Sequence, residues 1–422
     1  MSNAPNRLST ANMYDSALRN MTSRQTSLAN LQENLTSGKR VVRASDDPVA
    51  AAQAERSMTR ITRIQTEQRA LDLQRNAVAQ AESTLGDAVG VMQQMRELVV
   101  SAGNGAFNAS DRASVAGQLQ GLRTQLQDVA NRKDTNGVPL LSALGSAATP
   151  FLNALGEFDG LAGQMAGSSV SIPNALDGDA AFMFQPQRDG VFNASVSAAV
   201  PATHSLGSSA VTATDPAQIA LTPGGNAYDY QISVSYIAGG APGTLAAQYS
   251  VTSAPPGAPL NGANPFTSVD YVPGQPASLA VTAIPGLSLN LTGSPQLGDT
   301  MTLALKPSSS IFDTVDTAIR DIGSGSASAP TQAVGQALAN LDRGLERLQS
   351  VRSYAGELLN RADRIGGSQD TRSVQLEADR SRAEDLDMIQ GISDFQNQQV
   401  GYEAALKSYA MVQKLSLFNF IS

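Results

Sequence analysis

Apolar residues recur at seven-residue intervals through both ends of this chain, and the middle does not share the pattern. Tyr14, Met21, Leu28 and Leu35 form one series, with Leu18 and Leu31 filling the same stripe. Ile64, Leu71, Val78, Leu85, Met92 and Val99 form a second. Val115, Leu119, Leu122, Leu126 and Val129 step by four and three, as do Val334, Leu338, Leu341, Leu345 and Leu348. Near the C-terminus Met388, Phe395, Tyr402 and Tyr409 repeat at seven, with Ile392 and Leu406 alongside. A sustained heptad makes a narrow apolar seam that must be covered by partner helices. Such seams permit an ordinary bundle folded on itself, or a rod whose end seams find partners in the same or a neighbouring chain. Seams that reach both termini, and a first helix with a large polar remainder, favour the rod. The closing run, with Leu415, Leu417, Phe418, Phe420 and Ile421, raises the same demand, because bulky apolar residues gain nothing from fraying into water.

Between Pro150 and Pro307 the composition turns to Gly, Pro, Ser, Thr and Ala, and Arg188 and Lys306 are the basic residues within that stretch. The runs YDYQISVSYI, AQYSVT, ASLAVTAI and DTMTLAL alternate or run apolar between Gly and Pro clusters, which predicts short antiparallel strands. The two outer zones match each other, so the middle reads as a β-rich insertion into a helical rod. The expected fold class is therefore mainly α, a long coiled-coil rod formed by both chain ends with an inserted β-rich domain.

Local signals place the joints. Gly38 can adopt the left-handed conformation that closes the first helix. Asp47 is placed to cap the next helix and Pro48 to begin it, so the Asp46–Asp47 pair reads as capping rather than metal binding. Asn136–Gly137 marks a tight turn, and a short hairpin is expected after the third helix.

Signals for chemistry are few. With no cysteine or tryptophan among 422 residues, disulfides and thiolate catalysis are excluded. The net charge of −8 argues against nucleic acid and anionic membranes as partners. His204 is the single histidine, which rules out an HExxH zinc site, and its spacing to Ser205 and Asp215 fits no nucleophile motif. It reads as a surface residue. Asp177 and Asp179 lack the other ligands of a calcium loop and read as a polar turn. Ser37–Arg40 (SGKR) has Glu33 where a phosphate loop needs glycine and Arg40 where it needs Ser or Thr. No catalytic, metal or cofactor site is expected.

Both ends resemble the bacterial flagellin family. LANLQENLTSGKRVVRASDDPVAAAQA is similar to the family's N-terminal block, and NRKDTNGVPLLS to its hairpin after the third helix. ADRSRAEDLDMIQGISDFQNQQVGYEAALKSYAMVQKLSLFNFIS resembles the C-terminal signature. The ending KLSLFNFIS departs from flagellin proper and resembles that of the family's hook–filament junction branch.

The resemblance implies an inner-tube helix pair from 1–45 with 369–422, a helical rod with a β-hairpin from 46–149 with 308–368, and an outer domain over 150–307. It implies an assembly seam of Tyr14, Met21, Leu28 and Leu35 against Met388, Phe395, Tyr402 and Tyr409, continued by Leu415, Phe418, Phe420 and Ile421. It further implies a structural role with no enzymatic activity: an extracellular ring of subunits joining the hook, through another hook-associated junction protein, to flagellin. An export chaperone would hold the C-terminal helix. The N-terminal stretch lacks the apolar core of a secretory signal, so export through the flagellar apparatus is expected. Flagellin itself, an enzyme built on the middle domain, and an unrelated coiled-coil adhesin are the alternatives at this stage.

Overall fold

The computed structural model describes residues 10–143, 149–152, 157–159, 172–200, 204–219, 229–254, 266–267, 270–323 and 330–421. The side chains of 10–14, 152, 254, 266–267, 330–331 and 412–421 lie outside the described set. Eight helices and eleven strands lie among these residues. The helices are α1 (Thr10–Ser37), α2 (Pro48–Ala102), α3 (Ala109–Ala130), α4 (Gly178–Phe182), α5 (Pro186–Asp189), α6 (Ile311–Gly323), α7 (Pro330–Glu384) and α8 (Met388–Ile421). The chain divides into two compact units, 1–70 with 364–422 and 71–363.

In the larger unit, α2 and α7 run antiparallel. Leu71, Val78, Leu85, Met92 and Val99 of the heptad series are all buried, as are Leu341 and Leu348 facing them from α7. Ion pairs flank the seam: Arg75 with Asp363 at 3.0 Å, Arg96 with Asp342 at 2.7 Å, and Arg352 with Glu82 at 2.7 Å. These pairs are partly exposed and contribute little each, so burial of the seam carries the helix pair. α3 begins with a capping box between Asn108 and Asp111 and packs on α6. The expected hairpin follows it, with Gly137 at φ +81° and the Asp134 amide donating to the Val138 carbonyl at 2.8 Å.

A compact aromatic cluster ties Phe151 and Phe182 to α6. The Phe182 and Phe312 rings stack with centroids 5.6 Å apart, Phe151 contacts both, and the buried Arg123 guanidinium lies 5.3 Å from the Phe312 centroid. Arg123 also makes a two-pronged pair with Asp316 at 3.0 and 3.1 Å. Phe312 is fully buried. Phe312→Ala should therefore cost about 3–5 kcal/mol, read in urea as a lower midpoint with an unchanged slope.

The strands are β1 (Phe151–Leu152), β2 (Glu157–Phe158), β3 (Phe192–Ala199), β4 (Leu206–Ser208), β5 (Thr212–Ala213), β6 (Asp229–Ala238), β7 (Leu245–Ala254), β8 (Phe266–Thr267), β9 (Ala277–Val281), β10 (Leu287–Gly293) and β11 (Thr300–Pro307). Apart from the β1–β2 pair they form two antiparallel sheets. One has the order β3-β11-β6-β7-β8, and in the other β10 pairs with β4, β5 and β9. Alternation along β6 and β11 turns Tyr230, Ile232, Val234, Tyr236, Met301, Leu303 and Leu305 into one core shared with Val281, Leu287, Leu289 and Leu291 from the second sheet. Four strands match the predicted runs. β3 and β10 lie outside those runs, although FNASVS and LSLNLT alternate apolar and polar residues and carry the strand signal.

His204 is not a surface residue. Its side chain is 20% exposed and its Nδ1 lies 3.0 Å from Oδ1 of the buried Asp299. Asp299 stands far along the chain, at the start of β11, and sequence neighbours of His204 give no hint of it. Burial and the nearby Asp299 charge push the Tyr236 hydroxyl up to about 12. Asp177 caps α4 by accepting from the Asp179 amide at 3.0 Å, as a polar turn should.

Candidate assembly site

In the smaller unit, α1 and α8 pack along one another. Their breaks from the neighbouring helices are encoded locally. Gly38, at φ +70°, ends α1. Asp47 caps α2, accepting the Val49 and Ala50 amides at 3.1 and 3.0 Å. Asp46 accepts the Val42 and Arg43 amides at 3.2 and 2.8 Å and shapes the linker. Asp387 caps α8 through the Ile389 and Gln390 amides at 3.0 and 3.1 Å.

The Ala50 amide, with Arg40 and the Val49 amide assisting against some desolvation, holds the Asp47 carboxyl below the ordinary carboxylate range. A lowered folded-state pKa means that the cap's contribution is complete above the ordinary range and is lost as pH falls through the lowered value. Acid titration of helicity should show that loss in the native chain. An Asp47→Asn variant, which caps without titrating, should lack it.

Two close approaches show the antiparallel register of the terminal pair. A Cβ added to Gly391 would lie 3.2 Å from Leu35 Cδ2, and one added to Gly401 would lie 2.5 Å from Arg24 Nη1. Extended along both helices, this register places Phe395 between Leu28 and Leu35, and Tyr402 between Met21 and Leu28. Met21, Leu28, Leu35, Phe395, Tyr402 and Tyr409 are each half-buried, and Met388 is 45% exposed. The side chains of Tyr14, Leu415, Phe418, Phe420 and Ile421 lie outside the described residues.

Burial separates this seam from the one between α2 and α7. Val78, Leu85, Met92 and Val99 are completely buried, whereas no described member of the terminal seam is. Leu18, expected within the α1 stripe, and Ile392 and Leu406, expected alongside the α8 stripe, are exposed, as are Ile389, Val400 and Met411, Ile389 at 85%. Exposed large apolar residues gathered on α8 suit a site of association. Among the described residues no helix is long and apolar enough to cross a membrane, and no group of three or more His, Asp or Glu could hold a metal.

Residues 8–146 match the bacterial flagellin N-terminal helical region. The fold matches flagellar hook-associated protein 3 from Legionella pneumophila with a TM-score of 0.60 at 26% identity, covering 77% of this chain and 97% of that one. The N-terminal third of the chain thus matches a flagellin region, and the fold is flagellin-like.

Similarity to individual flagellar proteins is uneven. Flagellar hook-associated protein 3 of Salmonella typhimurium is 33% identical over 199 residues, covering 46% of this chain and 59% of that protein. The match thus spans somewhat over half of the curated relative's length. The filament 41 kDa core protein of Borreliella burgdorferi is 29% identical over 115 residues, or 27% of this chain. Flagellin-type similarity is shorter, and hook-associated similarity extends well beyond it.

Proposed function

We propose that this chain is a structural, non-enzymatic subunit of the bacterial flagellum, forming the junction ring that connects the hook, through another hook-associated protein, to the flagellin filament. The observation that carries this reading is the near-complete coverage of a hook-associated protein 3 structure, against a filament-protein match confined to about a quarter of this chain. In this reading residues 1–45 and 369–422 line the inner tube, 46–149 and 308–368 form the rod, and 150–307 face outward. The seam of Tyr14, Met21, Leu28, Leu35, Met388, Phe395, Tyr402 and Tyr409, with Leu415, Phe418, Phe420 and Ile421 beyond it, completes its burial against neighbouring copies. The chain leaves the cell unfolded through the flagellar export apparatus, with a chaperone on α8, and folds outside; the absence of cysteine suits that route.

A deletion strain tests the assignment. Loss of a junction protein should leave hooks without filaments while flagellin is shed into the medium. Hooks with no shed flagellin would instead identify the chain as the filament subunit.

The outer position of the β domain has its own test. The Ser308 amide donates to the Val191 carbonyl at 3.0 Å, so positions 191 and 308 are adjacent. Removing 192–307 and joining the ends by a short Gly-Ser bridge costs little loop entropy. It keeps Phe151 and Phe182 on Phe312, and uncovers chiefly the polar Gln336 and Asn340 amides that bond the Phe192 carbonyl. The shortened chain should unfold cooperatively on heating; a molten helical remainder would place the β domain in the core.

A further inference from the structure

The terminal seam has a degeneracy that its own residues do not resolve. Tyr14, Met21, Leu28 and Leu35 are interchangeable under a shift of seven, and so are Met388, Phe395, Tyr402 and Tyr409. Sliding α8 by one heptad along α1 keeps most apolar positions facing apolar positions. Coiled coils resolve such ambiguity with a unique polar feature.

One such feature lies where both helices begin their pairing. The two linkers, 38–47 and 385–387, meet as a short antiparallel bridge between Lys39 and Asp385. The Arg40 amide donates to the Glu384 carbonyl at 2.7 Å, and the Leu386 amide to the Gly38 carbonyl at 2.9 Å. The Arg40 guanidinium donates to the Ala383 carbonyl at 2.8 Å, and Lys39 Nζ pairs with the Glu384 carboxylate. Val41 is buried beside Ala50, Ala54 and Ala383 in a small apolar cluster. These bonds satisfy backbone groups that the ends of α1 and α7 leave open, so the bridge has a reason to form without α8 beyond it. It also cannot slide: Gly38 supplies the one left-handed turn here, and Lys39 and Arg40 are adjacent to it.

We propose that the bridged linkers are a register lock: they form first, and α1 and α8 zip outward from them in the single register that the Gly391–Leu35 and Gly401–Arg24 contacts show. This device is independent of the junction role and would serve any assembly built on these helices.

The chain has no cysteine, so introduced pairs report alone. Three full-length versions carry Arg24→Cys with Gly401→Cys, with Asp394→Cys, or with Ser408→Cys, the last two sampling shifts of one heptad in either direction. They are oxidised with diamide in trimethylamine N-oxide, which favours buried states. With the lock intact, the 24–401 cross-link should form about tenfold faster than either shifted one, the ratio expected of a modest preference between two states. Adding Lys39→Ala and Arg40→Pro should bring the three rates within roughly threefold of each other. Lys39→Glu, which repels Glu384 and leaves the backbone donors in place, should move the ratio in the same direction. A separate Lys39→Cys, Asp385→Cys pair should cross-link readily in dilute chain without osmolyte. Three outcomes overturn the proposal: a 24–401 preference that survives the lock variants, three equal or absent cross-links with the lock intact, or no 39–385 cross-link.

Discussion

A strain carrying Tyr402→Asp should be non-motile, exporting the protein normally while its hooks stay bare and flagellin accumulates outside. Tyr402 sits on the apolar side of α8, half-buried, at the level between Met21 and Leu28. In an assembled ring its remaining surface would be covered, and truncation to alanine would then remove about 3–5 kcal/mol of packing. An unpaired carboxylate at the same place costs more, because burying a charge without a partner is strongly unfavourable. Export should survive, since the seam plays no part in an unfolded chain. The two readouts therefore divide: immunoblots of the medium show secretion, and electron micrographs of hooks show attachment. Normal swimming with Tyr402→Asp would remove α8 from the assembly seam. Ile389→Asp tests the exposed apolar residues of α8 in the same way, and the 85% exposure of Ile389 in the single chain makes its stability there insensitive to the change.

In dilute solution the purified chain should be trimmed by protease to a core that begins in the first linker near Gly38 and ends in the second near Asp387, with the bridged linkers kept and α1 and α8 removed. The reason is the contrast between the two helix pairs. Along α2 and α7 the heptad residues reach complete burial, and each contributes its full transfer energy. Along α1 and α8 the corresponding residues are half-buried while other large apolar residues, Ile389 and Val400 among them, stay in water. Each ordered residue costs about 1–2 kcal/mol of backbone entropy whichever pair it belongs to. The terminal pair thus meets the same cost with a smaller return, and in the proposed ring neighbouring copies would supply the difference and couple its folding to assembly. A chain that orders its ends only on assembly also avoids premature polymerisation. Hydrogen exchange gives a second view: amides of Leu18–Leu35 and of Met388–Met411 should exchange within seconds in dilute chain, and those around Val78–Val99 should be strongly protected. Slow exchange in both α1 and α8 at low concentration would refute coupled folding.

Residues 151–191 show how far composition can mislead. By composition they belong with the β-rich middle, yet Phe151 and Phe182 pack on Phe312 of α6, and the Arg347 guanidinium of α7 donates to the Ala180 carbonyl. Low charge and high glycine content describe what a segment lacks, and they say nothing about which surface its few large side chains will find.

Much of this protein follows from local rules that need no tertiary knowledge. The heptads of α2 and α7, the Gly38 and Asp47–Pro48 joint, the Asn136–Gly137 hairpin and the four regular strands were legible because period, capping and turn chemistry act over a few residues. The apolar stripes on α1 and α8 were legible too, as was their need for partners. Tertiary structure alone decided the rest: the pairing of β3 with β11, the meeting of His204 with Asp299 across 95 positions, the Phe151–Phe182–Phe312 cluster and the Lys39–Asp385 bridge. Each joins residues far apart in the chain whose chemistry is ordinary until they touch. A heptad states that a seam exists, but its repeat is blind to shifts of seven, so its partner and register come from contacts that do not repeat.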